Sequence, residues 1–212
     1  MKRLIVNADD FGYSPSVNKG IIEAHLYGIV TSTSVMVDSI AAEEAKELNT
    51  YTDLGVGLHF VYDSKNSISD ELNRQVEKFT AIVGAKPDHI DIHKVRIDDF
   101  ELKNAVIAFA ESKRTPARYS GKAKFIDSFF GPHTDGDLSV DRLKRSLIEV
   151  NEECNELMCH VGYSDDYLRS LSSYNDMREL ELKAICDPQI KSYLNELGVK
   201  LVNWRQAKPW NQ

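Results

Sequence analysis

The chain has 212 residues, 42% of them hydrophobic, and a formal net charge of -7 with its basic residues scattered rather than clustered. That size and apolar content suit one globular domain over residues 1–212, and the acidic balance argues against nucleic acid or an anionic membrane as principal partner. No apolar run reaches the roughly 18 residues a bilayer requires and the amino terminus lacks a secretory pattern, so a cytoplasmic protein with a small neutral or cationic ligand is expected.

Residues 2 to 8 read as a strand that stops at Asp9-Asp10, with Gly12 to turn the chain. Ser14-Pro15-Ser16 then opens a helix carrying Val17, Ile21, Ile22, Ala24 and Leu26, which Gly28 stops. Ile29 to Val37 has the composition of a second strand, and residues 40 to 48 that of a short helix. Leu54 to Phe60 is a third strand ending near His59, followed by a helix from Ser67 to Val83 with Gly84 beyond its end. After Pro87 comes a fourth strand, Asp88 to His93, in which His89, Asp91 and His93 share one face.

Leu102 to Ala110 reads as a helix, and Ala117 to Phe130 as one or two short strands broken by Gly121 and Gly131. A helix over Val140 to Val150 leads into Glu156 to His160, another strand ending in a histidine. Helices at about 175 to 186 and 188 to 197, then a strand from Val199 to Val202, complete the chain. Such alternation predicts an α/β fold on a parallel sheet, doubly wound or closed as a barrel. Cys154, Cys159 and Cys186 are odd in number and show no CxxC spacing, so neither a disulfide framework nor a cysteine zinc site is expected.

Asp9, Asp10, His59, His93 and His160 all fall at carboxyl ends of different predicted strands, the face on which parallel α/β folds build sites. Two histidines and a carboxylate make a three-ligand divalent site with room for water and substrate. One aspartate and one histidine remain for proton transfer, which together with the ion describes metal-assisted amide hydrolysis. Taken singly, the Asp-Asp pair reads equally well as a helix cap or turn, and a lone histidine more often as a structural one. His25 and His133 receive no role, and His89, four residues before the strand end, is expected behind the ligands. Cys159 faces away from His160, which argues against a thiol nucleophile.

The segments Asn7-Ala8-Asp9-Asp10-Phe11-Gly12, Gly28 to Ser34, Gly57-Leu58-His59, His89 to His93 and Met158 to Tyr163 together resemble the YdjC-like carbohydrate deacetylases, which include chitooligosaccharide deacetylases. Tyr174, Arg178, Glu179 and Leu180 look like the same family's tail pattern. The resemblance implies a deformed TIM-like (β/α) barrel that removes acetyl groups from small N-acetylated amino sugars with a divalent ion, Mg2+ or Zn2+. It further implies Asp10, His59 and His93 as metal ligands, Asp9 as general base, His160 as general acid and Arg118 beside substrate or base.

Three positions depart from the family pattern: Lys94-Val95-Arg96 replaces further histidines, the segment between His59 and Ser67 is short, and Val161 replaces a proline. Shorter loops are expected to change how many sugar units are gripped. Tyr13, Tyr62 and Tyr163 offer stacking surfaces for the sugar, Tyr163 being counted with Arg118 as a substrate residue. The alternatives are a phosphoesterase or lyase on the same barrel, or a sugar-binding module that has lost its site. The sequence leaves a homo-oligomer open.

Overall fold

The structure, a computed structural model, describes residues 1–96, 98–129, 136–151 and 153–207; Phe130, Gly131 and His133 lie outside the described residues. Among the described residues seven strands form one sheet: β1 (Lys2–Phe11), β2 (Ser32–Val35), β3 (Gly55–Phe60), β4 (Ile90–Ile92), β5 (Lys124–Ile126), β6 (Cys154–Cys159) and β7 (Val199–Leu201). Every described pairing is parallel, in the order β4-β3-β2-β1-β6-β5. β7 pairs with the first residues of β1, Lys2 to Leu4, and β2 with its last, Asn7 to Phe11, so ten residues of β1 serve as the central staff.

The sheet is curled. In a flat sheet β4 and β6, four strands apart, would be separated by roughly 19 Å. Yet the one guanidinium of Arg118 lies 3.1 Å from Asp91 on β4 and 2.7 Å from Glu156 on β6. This is a deformed TIM-like barrel, with β4 and β5 as the ends of the described strand path and a single further bridge from Ile90 to Ala117.

Helices α1 (Pro15–Leu26), α2 (Ile68–Val83), α3 (Phe100–Ser112), α4 (Val140–Leu147), α5 (Asp166–Leu171), α6 (Asp176–Ile185) and α7 (Pro188–Glu196) accompany the sheet. Alternation along β1 explains the layering. Leu4, Val6 and Ala8 belong to the main apolar core, whereas Ile5 joins Cys154, Val202, Trp204 and Ala207 in a second, smaller cluster. His89 stacks on Trp204 with ring centroids 5.1 Å apart, and Asn7, Asp9 and Asp91 are buried further along the same strand faces. One end of the barrel interior is therefore apolar and the other polar.

Several elements differ from expectation. The predicted helix at 40 to 48 is a 3-10 helix over Ala42–Thr50, and no side chain caps its first turn. α5 was not anticipated, because six residues are too few to show a helical period. β1 runs on through both aspartates to Phe11 instead of ending before them. No helix among the described residues is long and apolar enough to cross a membrane.

Candidate active site

Adjacent strand residues normally point to opposite faces. Asp9 and Asp10 reach one site because β1 carries a bulge between Ala8 and Phe11 and Asp10 takes a left-handed conformation, φ 74°. Such a backbone is costly for a residue with a Cβ and persists where surrounding contacts hold it. Here the contacts are on the side chain: Arg178 of α6 donates to Asp10 Oδ2 at 2.6 Å, while Oδ1 faces His59 and His93. Burial alone would raise Asp10, but Arg178 and the two histidines hold it well below the usual carboxylate range.

Asp10 Oδ1, His59 Nε2 and His93 Nδ1 form a triangle with sides of 3.1, 3.2 and 3.1 Å. Ligands of a tetrahedral zinc at 2.0–2.1 Å lie roughly 3.3 Å from one another, so the three atoms fit a common ion with little adjustment. The surroundings suit one as well. His59 Nδ1 lies 2.6 Å from Asp91 Oδ1, an outer carboxylate that orients the ring and leaves Nε2 aimed at the triangle. Against desolvation, which lowers it, Asp91 and Asp10 push His59 up to about 10. A cation at Nε2 would take the place of that proton.

Asp91 is held in turn by the packing beneath it. His89, fully buried, lies against Gly57, where an added Cβ would come 2.3 Å from the His89 ring. Burial pulls His89 down to about 4, so it is a neutral spacer between Trp204 and Asp91, 3.8 Å from the latter's carboxylate. Gly57 is thus a packing requirement of the layer that orients His59.

Asp9 occupies a different environment. Arg118 donates two parallel hydrogen bonds to it, at 2.7 and 2.8 Å, and Asn7 Nδ2 donates a third at 2.8 Å. The same guanidinium donates to Glu156 from Nε and Nη2, at 2.9 and 2.7 Å. Arg118 is only 3% exposed, which makes it a buried cation shared among Asp9, Asp91 and Glu156. It holds the carboxylate plane of Asp9 and also lines the cavity.

His160 follows β6 directly and lines the cavity with Asp9, Asp10, His59 and His93. Desolvation pulls it down to about 4, so its imidazole is neutral near pH 7. The chain leaving His160 is fixed by a close approach: a Cβ on Gly20 of α1 would lie 2.5 Å from Gly162 Cα. Above these groups opens a cavity of about 440 Å³, whose walls include Tyr13, Ile92, Tyr119, Phe125, Met158 and Tyr174. That volume suits a small molecule rather than a surface-bound polymer.

Two expected stacking residues lie elsewhere. Tyr163 does not line the cavity: its hydroxyl donates to Glu23 of α1 at 2.6 Å, and Lys19 sits over its ring. Tyr62 stacks on Phe60 and donates to the carbonyl of Asn66. Neither Tyr163 nor Tyr62 is among the residues that line this cavity. The sequence reading gave no role to Asn7, Asp91 or Glu156, although it set Asp91 on the face of His93, and it took Arg178 only as part of a tail motif. Glu156 carried a signal, an acid two residues before Met158 and four before His160, on the strand face that leads to that histidine.

Comparison with known proteins agrees with this architecture. The family model described as YdjC-like protein matches residues 3–69 and 62–196. A carbohydrate deacetylase of Geobacillus stearothermophilus is 33% identical over 237 residues, covering 95% of this chain and 96% of that one. A chitooligosaccharide deacetylase of Serratia marcescens is 31% identical over 247 residues, with 94% and 97% covered. Among solved structures, a protein from Enterococcus faecalis V583 ascribed to cellobiose-phosphate cleavage superposes with a TM-score of 0.85 at 26% identity, over 96% of this chain and 98% of that one. With both the aspartate pair and the three strand-end histidines inside the matched segments, the chain belongs to the YdjC-like family.

Proposed function

We propose that this protein is a metal-dependent hydrolase that removes the N-acetyl group from a small N-acetylated amino sugar such as a chitooligosaccharide. The observation that carries the reading is the triangle of Asp10, His59 and His93 ligand atoms at the cavity wall, with Asp9 and His160 lining the same space. The names of the Geobacillus and Serratia relatives supply the substrate class. Two imidazoles with one carboxylate favour zinc over magnesium.

Bound between Asp10, His59 and His93, the ion would polarise the acetyl carbonyl and acidify a water. Asp9, its plane held by Arg118 and Asn7, takes the proton from that water as it adds to the carbonyl carbon. His160 delivers a proton to the sugar nitrogen as the C–N bond breaks, leaving acetate and a free amine. Because His160 is neutral at rest, the proton it delivers is the one Asp9 has taken from the water, passed on once the water oxygen has added to the carbonyl carbon. Three free thiols, with no disulfide among the described residues, suit a reducing cytoplasm.

Phosphoester chemistry finds less support. Among the described residues, the two arginines that line the cavity, Arg118 and Arg178, are both committed to carboxylates. The test is acetate release by zinc-loaded protein from N-acetylglucosamine and its β-1,4-linked di- and trimers. Release that stops on chelation and returns with added zinc is expected; no release from any member of the panel would remove this substrate class.

A further inference from the structure

Helix α6 reaches both halves of the site from outside the sheet. Arg178 and Glu181, three residues apart, share a helix face, and both are buried, at 2% and 0% exposure. Arg178 holds Asp10, as described. Glu181 Oε2 accepts a hydrogen bond at 2.5 Å from the backbone N–H of His160, the residue that follows the last paired residue of β6. Glu181 Oε1 accepts from the hydroxyl of Tyr174.

Tyr174 connects the two contacts. Its ring stands edge-on to His160, with centroids 5.8 Å apart and planes at 69°, and it lines the cavity. The Arg178 guanidinium lies 5.7 Å from the centre of the same ring, and Arg178 Nε donates to the Tyr174 carbonyl at 3.0 Å. A buried carboxylate has no need of this particular pair of partners for packing alone, and an apolar side chain would fill the space at lower desolvation cost. What the pair does is fix His160 on two sides, through its own backbone and through the ring that flanks its imidazole.

We propose that Glu181 is a positioning residue for His160, setting where the imidazole meets the leaving nitrogen. The assignment rests on the deacetylase reading above, in which His160 protonates that nitrogen. It predicts a dependence on the leaving group. An amine must be protonated to depart from an acetamide, whereas 4-nitrophenolate departs from 4-nitrophenyl acetate without a proton. In both reactions water adds to the acetyl carbon and acetate is formed; only the first breaks a C–N bond and needs the acid.

The experiment compares zinc-loaded wild type, Glu181→Ala, Glu181→Gln and Tyr174→Phe on di-N-acetylchitobiose and on 4-nitrophenyl acetate. A displaced acid should lower kcat of Glu181→Ala on the sugar by about 10- to 100-fold, with KM and the ester rate within about threefold of wild type. Glu181→Gln, whose amide oxygen still accepts from the His160 N–H, should recover most of the sugar rate. Tyr174→Phe should lose sugar activity in the same direction with the ester spared, which keeps the test alive if the alanine variant fails to fold. Equal losses on sugar and ester, or wild-type rates on both, would overturn the assignment. Wild type that hydrolyses the ester but no sugar acetamide would overturn the deacetylase reading itself, and the role of Glu181 with it.

Discussion

Replacing Arg118 with methionine is expected to destabilise the fold by about 3–5 kcal/mol, a fall in Tm of roughly 6–20 °C for a chain of this size. Methionine keeps most of the volume but removes the cation that Asp9, Asp91 and Glu156 share in a dry interior. Asp9 and Glu156 then lose their buried counter-charge and Asp91 keeps only His59, and uncompensated burial is far more costly than the net worth of any single ion pair.

The pH dependence of that loss has a definite sign. In the intact protein burial pushes Glu156 up from the ordinary 4.5 to about 7, with Arg118 pulling the other way. A group whose folded pKa is raised contributes stability that is full below its unfolded pKa and is lost as pH rises through the folded one. With Arg118 gone the opposing pull disappears and the loss steepens toward neutral pH. Urea unfolding at pH 5 and pH 8 should therefore show the larger deficit at pH 8. A deficit below about 1 kcal/mol, or one indifferent to pH, would contradict a role for Arg118 as the shared cation.

Asp9→Asn should instead leave the fold in place and remove turnover, lowering kcat by about 10²- to 10⁴-fold, the usual worth of a general base. The amide is isosteric, one of the two parallel bonds from Arg118 can persist, and Arg118 still pairs with Asp91 and Glu156. Asp10, His59 and His93 are untouched, so calorimetric zinc affinity should match that of wild type. A variant that keeps a tenth or more of the wild-type kcat, or that loses zinc, would show Asp9 to be something other than the base.

How far these residues were legible in the sequence follows from what each depends on. Strand alternation and strand ends are local properties, and they brought Asp9, Asp10, His59, His93 and His160 to one face of the sheet in the correct order. Which way Asp10 points is not local in the same sense. It depends on one positive φ within a strand, and an Asp-Asp pair reads equally well as the start of a loop. The helix expected at 40 to 48 failed for want of a cap, since alanine and glutamate favour a helix without specifying where its first turn is satisfied.

The outer layer of the site was the least visible. Arg178 and Glu181 lie on α6 among other charges, and a charged helix face ordinarily reads as solvated; only the tertiary fold turns those two inward. Tyr163 is the opposite case. It sits three residues past His160 and so close to the site in sequence, but its hydroxyl is drawn to Glu23 on α1. Glu156 was the missed residue with the clearest signal, an acid in the middle of a buried strand, where a carboxylate implies a cation facing it.

The proposed division of labour, with Asp10 holding the ion and Asp9 taking the proton, is tested most directly by an anomalous-scattering map from crystals grown with zinc. One peak is predicted, bounded by Asp10 Oδ1, His59 Nε2 and His93 Nδ1. A peak displaced into Asp9, His59 and Asp91, the other cluster of potential ligands among the described residues, would contradict it, as would the absence of any peak at the triangle.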